Sequence, residues 1–472
     1  MTAPAREAPP GAPAAVHRRP HSFGRFVAEA QARGTLVVQP RMGFSDPALM
    51  RAGLLATKNA TDGVVGTMTI DSYTRVNDEP SAARALSGGV PLNGFPITHY
   101  SPQTSRWVLD GVEDAAFPVQ IRHGSARPQR IVAALARLGL DATEGGPVSY
   151  CLPYGRTPLL DSVRNWQESC AFLAGLRGTG AEPHLETFGG CMLGQLCPPG
   201  LLVAISALEA LFFHRAGLRS ISLSYAQQVN AAQDREAMHA LRRLAAEFLP
   251  DTEWHIVLYT YMGLYPQTRT GSLELLERSA ELAVETGAAR LIVKTAAEAH
   301  RIPTVAENVE ALRVAARAAA RHRRATAAGH PAAPVRGPDS GPGPADNAVY
   351  AEARALVDAV LNLDDDLGQA LLKAFARGYL DVPYCLHPDN AGRTRSHIDG
   401  SGRLTWSEIG AMPLGPVRDR GRRLTAAGLF DALSFVQRRH DRIVPQTAPR
   451  PTLPTAARRP AAHRQHTQEV AP

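Results

Sequence analysis

The chain has 472 residues, 44% hydrophobic and 20% charged, with 40 Gly, 37 Pro and five Cys. At roughly 150 residues per domain that is length for two or three domains. The apolar content excludes a wholly disordered chain, and so few cysteines exclude a disulfide-stapled secreted scaffold, leaving a soluble globular protein. The formal charge of +7 invites an anionic partner, but much of it lies in Ala/Pro-rich or terminal stretches: Arg18 and Arg19, Arg321 to Arg324, and Arg438 onward. Charge placed there reads as solvated tail rather than as a nucleic-acid patch. Of 51 basic residues only Lys58, Lys294 and Lys373 are lysine, so each of them is a position to inspect.

Residues 1–22 are rich in Pro and Ala and lack the apolar core of a secretory signal, so a disordered tail is expected. Residues 23–325 alternate short apolar runs with longer helical patterns. Candidate strands are Thr35 to Gln39, Thr67 to Ser72, Leu92 to Ile97, Pro118 to Arg122, the Thr143 to Tyr150 region, His184 to Phe188, Ser220 to Tyr225, His255 to Tyr259 and Arg290 to Lys294. That is one run more than an eight-stranded barrel needs. The apolar stretch Leu201 to Phe213 contains Glu209 and is shorter than the about 20 residues a bilayer requires. No membrane span and a cytoplasmic location are expected.

Late in this region the helix signals are clear. Ser272 is a candidate N-cap for a helix ending at Gly287, and Thr304-Val305-Ala306-Glu307 is a capping box opening a helix to about Arg324. Lys294 to Pro303 is then a loop between strand and helix. Repeated strand–helix alternation suits a parallel α/β architecture, and the length favours a (β/α)8 barrel over a doubly wound sheet. No G-x-G-x-x-G opens a helix after the first strand, which weakens a dinucleotide fold. Residues 326–347 read as a linker by composition, residues 348–440 as a smaller C-terminal α+β domain, and residues 441–472 as a second disordered tail.

Metal and nucleophile motifs are missing. Cys191 and Cys197 have the wrong spacing for a zinc knuckle, and no H-E-x-x-H, G-x-S-x-G or phosphate loop occurs, so no protein-ligated metal is expected. The polar ends of predicted strands say more, because barrel chemistry sits at the carboxyl ends of strands. Gln39-Pro40-Arg41, Thr69 to Arg75 and Gln120-Ile121-Arg122-His123 put Arg41, Arg75 and Arg122 near one mouth. Guanidinium forks bind carboxylates through charge-assisted hydrogen bonds, so a convergent trio suits a small di-acid, unless each pairs with a neighbouring Asp or Glu. Glu144 beside two glycines is open to a ligand, and Tyr150 and Tyr154 can add hydroxyl donors. Lys294 ends a strand with Glu298 four residues on, either a site or a surface ion pair.

Taken in order, VVQPRMG, TIDSYTR, LNGFP, VQIRHG, TEGGPVSYCLPY, NWQ, NAAQD, MGLYPQ and VKTAAEA…IPT resemble the large (epsilon) subunit of adenosylcobalamin-dependent glutamate mutase, also called methylaspartate mutase. The resemblance runs from about Thr35 to Thr304. It implies a (β/α)8 barrel that converts L-glutamate to L-threo-3-methylaspartate by radical carbon-skeleton rearrangement, through a glycyl radical and acrylate. It places Arg41, Arg75 and Arg122 as an arginine claw on the substrate carboxylates, Glu144 on the substrate ammonium, and Tyr150 and Tyr154 in the pocket. Gly43, Asn93, Pro153, Tyr265, Lys294, Glu298 and Ile302 fall at positions similar to those touching adenosylcobalamin, with Lys294 and Glu298 on the adenosyl ribose.

The D-x-H-x-x-G signature that presents a histidine to cobalt occurs nowhere in the chain. The resemblance therefore implies a separate small cobalamin-binding (sigma) subunit, in a heterotetramer of two large and two small subunits, and a chain inactive alone. Departures from the family pattern include Tyr259 in place of a characteristic histidine, Gln227 in a changed segment, and His300-Arg301 before Ile302-Pro303. Two alternatives stay open: a mutase acting on a related amino or oxo dicarboxylic acid, and a noncatalytic partner of a cobalamin-binding subunit.

Overall fold

The computed structural model describes residues 22–153, 155–192, 196–328, 347–417 and 425–442. The expected tails apart from Ser22, Asp441 and Arg442, most of the expected linker and Tyr154 lie outside the described residues, and Asp441 ends the helix Phe435–Asp441. Eight short strands form one parallel sheet: β1 (Val37–Gln39), β2 (Gly66–Thr69), β3 (Val119–Arg122), β4 (Ala142–Gly145), β5 (His184–Thr187), β6 (Ser220–Ala226), β7 (Glu253–Tyr259) and β8 (Arg290–Ile292). Each strand from β2 to β8 pairs with its sequence neighbour, and β1 pairs with β8. The ring closes where Val38 N donates to Gly63 O at 3.0 Å and Val65 N donates to Val38 O at 3.3 Å. This is the expected (β/α)8 barrel.

The ninth candidate strand is corrected. Leu92 to Ile97 is loop, joined to the sheet only by a bridge between Ile70 and Phe95. Pro91 and Pro96 supply no ladder donors, and Gly94 presses so close to the Ile70–Asp71 backbone that a Cβ would lie 2.5 Å from Asp71 N. Two cap expectations divide. Thr304 and Glu307 form the capping box of the helix Val305–Ala327, whereas the preceding helix Arg269–Glu285 is capped by Thr268, not Ser272. The Ser272 hydroxyl instead donates to Pro266 O.

The helix Pro199–Arg215 is buried on every side from Pro199 to Phe213. It lies between β5 and β6 on one side and the helix Ala348–Leu361 on the other. Double coverage is why the longest apolar run of the sequence belongs to a core helix. No helix among the described residues is long and apolar enough to cross a membrane. The C-terminal residues add an antiparallel pair, β9 (Thr394–Ile398) and β10 (Leu404–Ile409).

Because side chains alternate along a strand, inward residues stack in layers. The floor is Val37, Val65, Ala142 and His184, plugged by Phe23, whose ring stacks 5.2 Å from His184. The middle layer is polar: Gln39, Thr67, Gln120, Glu186, Ser222 and Arg290, all fully buried. Above it, at the carboxyl ends, stand Arg122, Glu144 and Tyr259.

Candidate active site

A cavity of about 390 Å³ opens at the carboxyl ends of the strands. Nine of the positions singled out in the sequence line it: Arg41, Gly43, Arg75, Asn93, Arg122, Glu144, Tyr150, Glu298 and Ile302. Lys294 and Tyr265 do not; they stand buried beside Glu298, with Lys294 Nζ 4.3 Å over the Tyr265 ring. Pro153 lies outside the lining, and Tyr154 is outside the described residues.

Arg122 and Glu144 end adjacent strands and meet in a buried salt bridge, Nε to Oε2 at 2.7 Å. Burial works against both charges, but each offsets it for the other: Glu144 is held below the usual carboxylate range by Arg122, and Arg122 above its ordinary value by Glu144. The Tyr150 hydroxyl donates to Glu144 Oε1. Glu144 is therefore less open than its two glycines suggested, and those glycines have another task. Gly145 has φ +136°, and a Cβ there would lie 2.5 Å from the Trp166 and Tyr150 rings, while one on Gly146 would strike the Glu209 carboxylate. Buried Glu209 accepts from the backbone N–H of Val148, Ser149, Phe188 and Gly189, tying the loops after β4 and β5 together.

Arg75 ends a single helical turn, Ser72–Arg75, capped by Asp71. Its side chain has no ion-pair or hydrogen-bond partner among the described residues, so its guanidinium is free to take a ligand anion. Arg41 instead binds Glu298, Nη1 to Oε2 at 2.8 Å, across 257 residues of sequence. Among the described residues no ion pair joins Lys294 to Glu298. Lys294 makes no hydrogen bond among the described residues, and burial brings its ammonium down to about 8, with Glu298 opposing.

Among the lining residues that carried no assigned role in the sequence reading is His123. His123 is 3% exposed and accepts Ser125 N–H on Nδ1 at 3.0 Å. Burial drops its pKa to about 4, with Glu144 opposing and Arg122 adding to the drop. A neutral ring with Nδ1 accepting must carry its proton on Nε2, and Nε2 is buried without a partner among the described residues. The same holds for Arg41 Nε and Thr69 Oγ1, both on lining residues. Unsatisfied polar atoms around one cavity are costly unless a ligand completes them. The H-x-S spacing was the available sequence signal for His123.

Four arginines line the cavity, and Arg301 is paired with Glu307 outside it; the other three, with the two lining glutamates, leave one net positive charge, complementary to an amino di-acid, which carries one net negative charge. The cavity can exchange its internal Arg122–Glu144 bond for a ligand carboxylate and ammonium, with Arg75 left for a second carboxylate. Around it, Tyr73, Val76, Val90, Leu264 and Ile302 are exposed apolar side chains on loops that follow the strands.

A closed barrel with this mouth defines a (β/α)8 enzyme whose site can hold a small acidic zwitterion. A family model described as methylaspartate mutase E chain matches residues 19–423. Among its relatives, the glutamate mutase epsilon subunit of Escherichia coli O157:H7 is 29% identical over 412 residues, 84% of this chain and 82% of that protein. That of Yersinia enterocolitica is 29% identical over 411 residues, 83% and 81%, and that of Halobacterium salinarum 29% over 405, 84% and 81%. A solved YdjI aldolase from Escherichia coli K12 overlaps 64% of this chain and 95% of its own, at 12% identity and a TM-score of 0.34. The chain belongs to the methylaspartate mutase E chain family, as its motifs implied, and is a mutase, an isomerase.

Proposed function

We propose that the chain is the catalytic large subunit of a glutamate mutase, rearranging L-glutamate to L-threo-3-methylaspartate with adenosylcobalamin and a separate cobalamin-binding small subunit, two copies of each. The observation that carries the substrate reading is the buried Arg122–Glu144 bond beside unpartnered Arg75 in one cavity. Arg75 and Arg122 take one carboxylate each, Arg41 turns from Glu298 to complete the claw, and Glu144 takes the ammonium. His123 donates Nε2–H to a substrate oxygen, and Tyr150 keeps Glu144 in place.

The donor set on the β8 side fits the cofactor. Lys294 is a buried cation without a hydrogen bond, Glu298 lines the mouth beside it, and exposed Ile302 and Leu264 offer apolar rim. Lys294 and Glu298 would hold the adenosyl ribose, with Gly43, Asn93, Pro153, Tyr265 and Ile302 around it. When bound, adenosylcobalamin supplies the carbon-centred radical that removes a substrate hydrogen, chemistry no side chain offers. The protein's part is to keep two carboxylate-bearing fragments in register and to exclude water. The exposed apolar rim is surface for the small subunit to cover, which is why the site would be complete only in the complex.

The test is product formation followed by NMR, with this chain, the small subunit, adenosylcobalamin and L-glutamate. A new methyl signal of 3-methylaspartate, lost when either subunit is omitted, is expected. No product from a formed, cofactor-loaded complex would move the substrate to another dicarboxylic acid.

A further inference from the structure

Tyr259 ends β7 with its ring fully buried and its hydroxyl at the junction of two carboxylates. The hydroxyl lies 2.9 Å from Glu144 Oε2, contacts Glu186 Oε1 more closely, and receives Arg122 Nη2 at 3.3 Å. Phe188 meets the Tyr259 ring edge-on at 5.6 Å and Arg122 lies 5.2 Å over it, so the ring is fixed. On its other oxygen Glu186 holds Arg290, which also donates to Gln120 Oε1 at 3.2 Å and Ser222 Oγ at 3.1 Å. A polar chain thus runs from the cavity wall down the barrel axis to the floor, where Arg290 sits 4.9 Å over Phe23.

Burial raises the Tyr259 phenol well above its usual range, with Arg122 opposing and the two glutamates adding to the rise. The oxygen keeps its one proton, shared as a three-centre bond between Glu186 Oε1 and Glu144 Oε2. That matters once a substrate carboxylate draws Arg122 away, because among the described residues Glu144 then keeps the Tyr150 hydroxyl and its share of the Tyr259 proton.

We propose that Tyr259 is the positioning residue of the ammonium subsite: anchored on Glu186 and Arg290, its hydroxyl holds Glu144 at the cavity wall, where the carboxylate meets the substrate ammonium. This rests on the amino di-acid reading above. It assigns the Glu186–Arg290 pair a second task besides filling the barrel, that of a fixed support beneath a movable site.

Calorimetry on the full chain with the small subunit and adenosylcobalamin tests it, comparing L-glutamate with glutarate, which keeps both carboxylates and lacks the ammonium. Tyr259→Phe should weaken L-glutamate about tenfold or more while changing glutarate less than about threefold. A merely structural role would weaken both alike, and that result, or an unchanged preference, overturns the proposal. Tyr259→His, which can keep an N–H donor in that place, should hold the preference within about threefold of wild type. If Tyr259→Phe does not form the complex, Tyr259→His decides alone, and a preference below about a third of wild type overturns the assignment. Wild type binding the two ligands equally would overturn the ammonium reading itself, and this proposal with it.

Discussion

Arg290 and Arg122 stand one layer apart in the same barrel, each bonded to a buried glutamate, and their surroundings differ. Arg290 is enclosed by Glu186, Gln39, Gln120 and Ser222, with only Nε lacking a partner. Arg122 binds Glu144 and Tyr259, faces the cavity, and leaves Nη1 without a bond among the described residues. Similar charges at similar burial therefore do opposite things. A guanidinium surrounded by protein acceptors is committed to the fold, whereas one with spare donors beside unsatisfied His123 and free Arg75 is open to exchange.

The comparison breaks most sharply at Arg290. Arg290→Met leaves Glu186 buried without its cation and should cost about 3–5 kcal/mol of stability in a urea titration. Adding Glu186→Leu should recover most of that loss, since a buried ion pair replaced by apolar side chains of similar volume is often neutral. A single Arg290→Met variant as stable as wild type would show that the middle layer is not the support described.

His123 sharpens the comparison through pH. Its folded pKa, about 4 through burial, lies below the ordinary value of 6.5. Between those values the unfolded chain binds the extra proton, so stability is fully present above about pH 6.5 and is lost as pH falls through about 4. Over that window His123 contributes a loss of about 3 kcal/mol. Urea midpoints of His123→Gln should accordingly fall less steeply with acid than those of wild type. Equal slopes would place His123 in contact with water rather than in the buried wall.

Much of this was legible in the sequence, for a physical reason. Strand alternation puts Gln120 and Arg122 on the inward face of Gln120-Ile121-Arg122, and barrel geometry puts strand ends at the mouth, so Arg41, Arg75, Arg122 and Glu144 could be gathered without coordinates. What stayed hidden depends on distant partners. The Arg41–Glu298 bond spans 257 residues, and Arg290 was only the first residue of a predicted strand, with nothing local to show that Glu186 and Gln39 surround it. Leu92 to Ile97 shows the opposite failure: its apolar pattern fits a strand, but its prolines and the close approach of Gly94 make it a loop. Tyr259 was noticed as a departure, yet its role depends on Glu186, which periodicity marks only as an inward carboxylate.

The smallest of these effects separates recognition from folding most cleanly. The Arg75 side chain has no partner among the described residues to lose, so Arg75→Lys should leave stability within about 0.5 kcal/mol of wild type. Its consequence should fall on the ligand instead. A lysine keeps the charge but presents a compact point donor in place of a planar fork, and cannot reproduce two parallel bonds to one carboxylate. The expected loss in kcat/KM is about 2 kcal/mol, roughly thirtyfold. Arg122→Lys should lose at least as much activity and also stability, because it breaks the bond to Glu144. Near-normal turnover by both variants would refute the claw. Lost stability in Arg75→Lys would mean that Arg75 belongs with Arg290, committed to the fold, rather than at the open mouth.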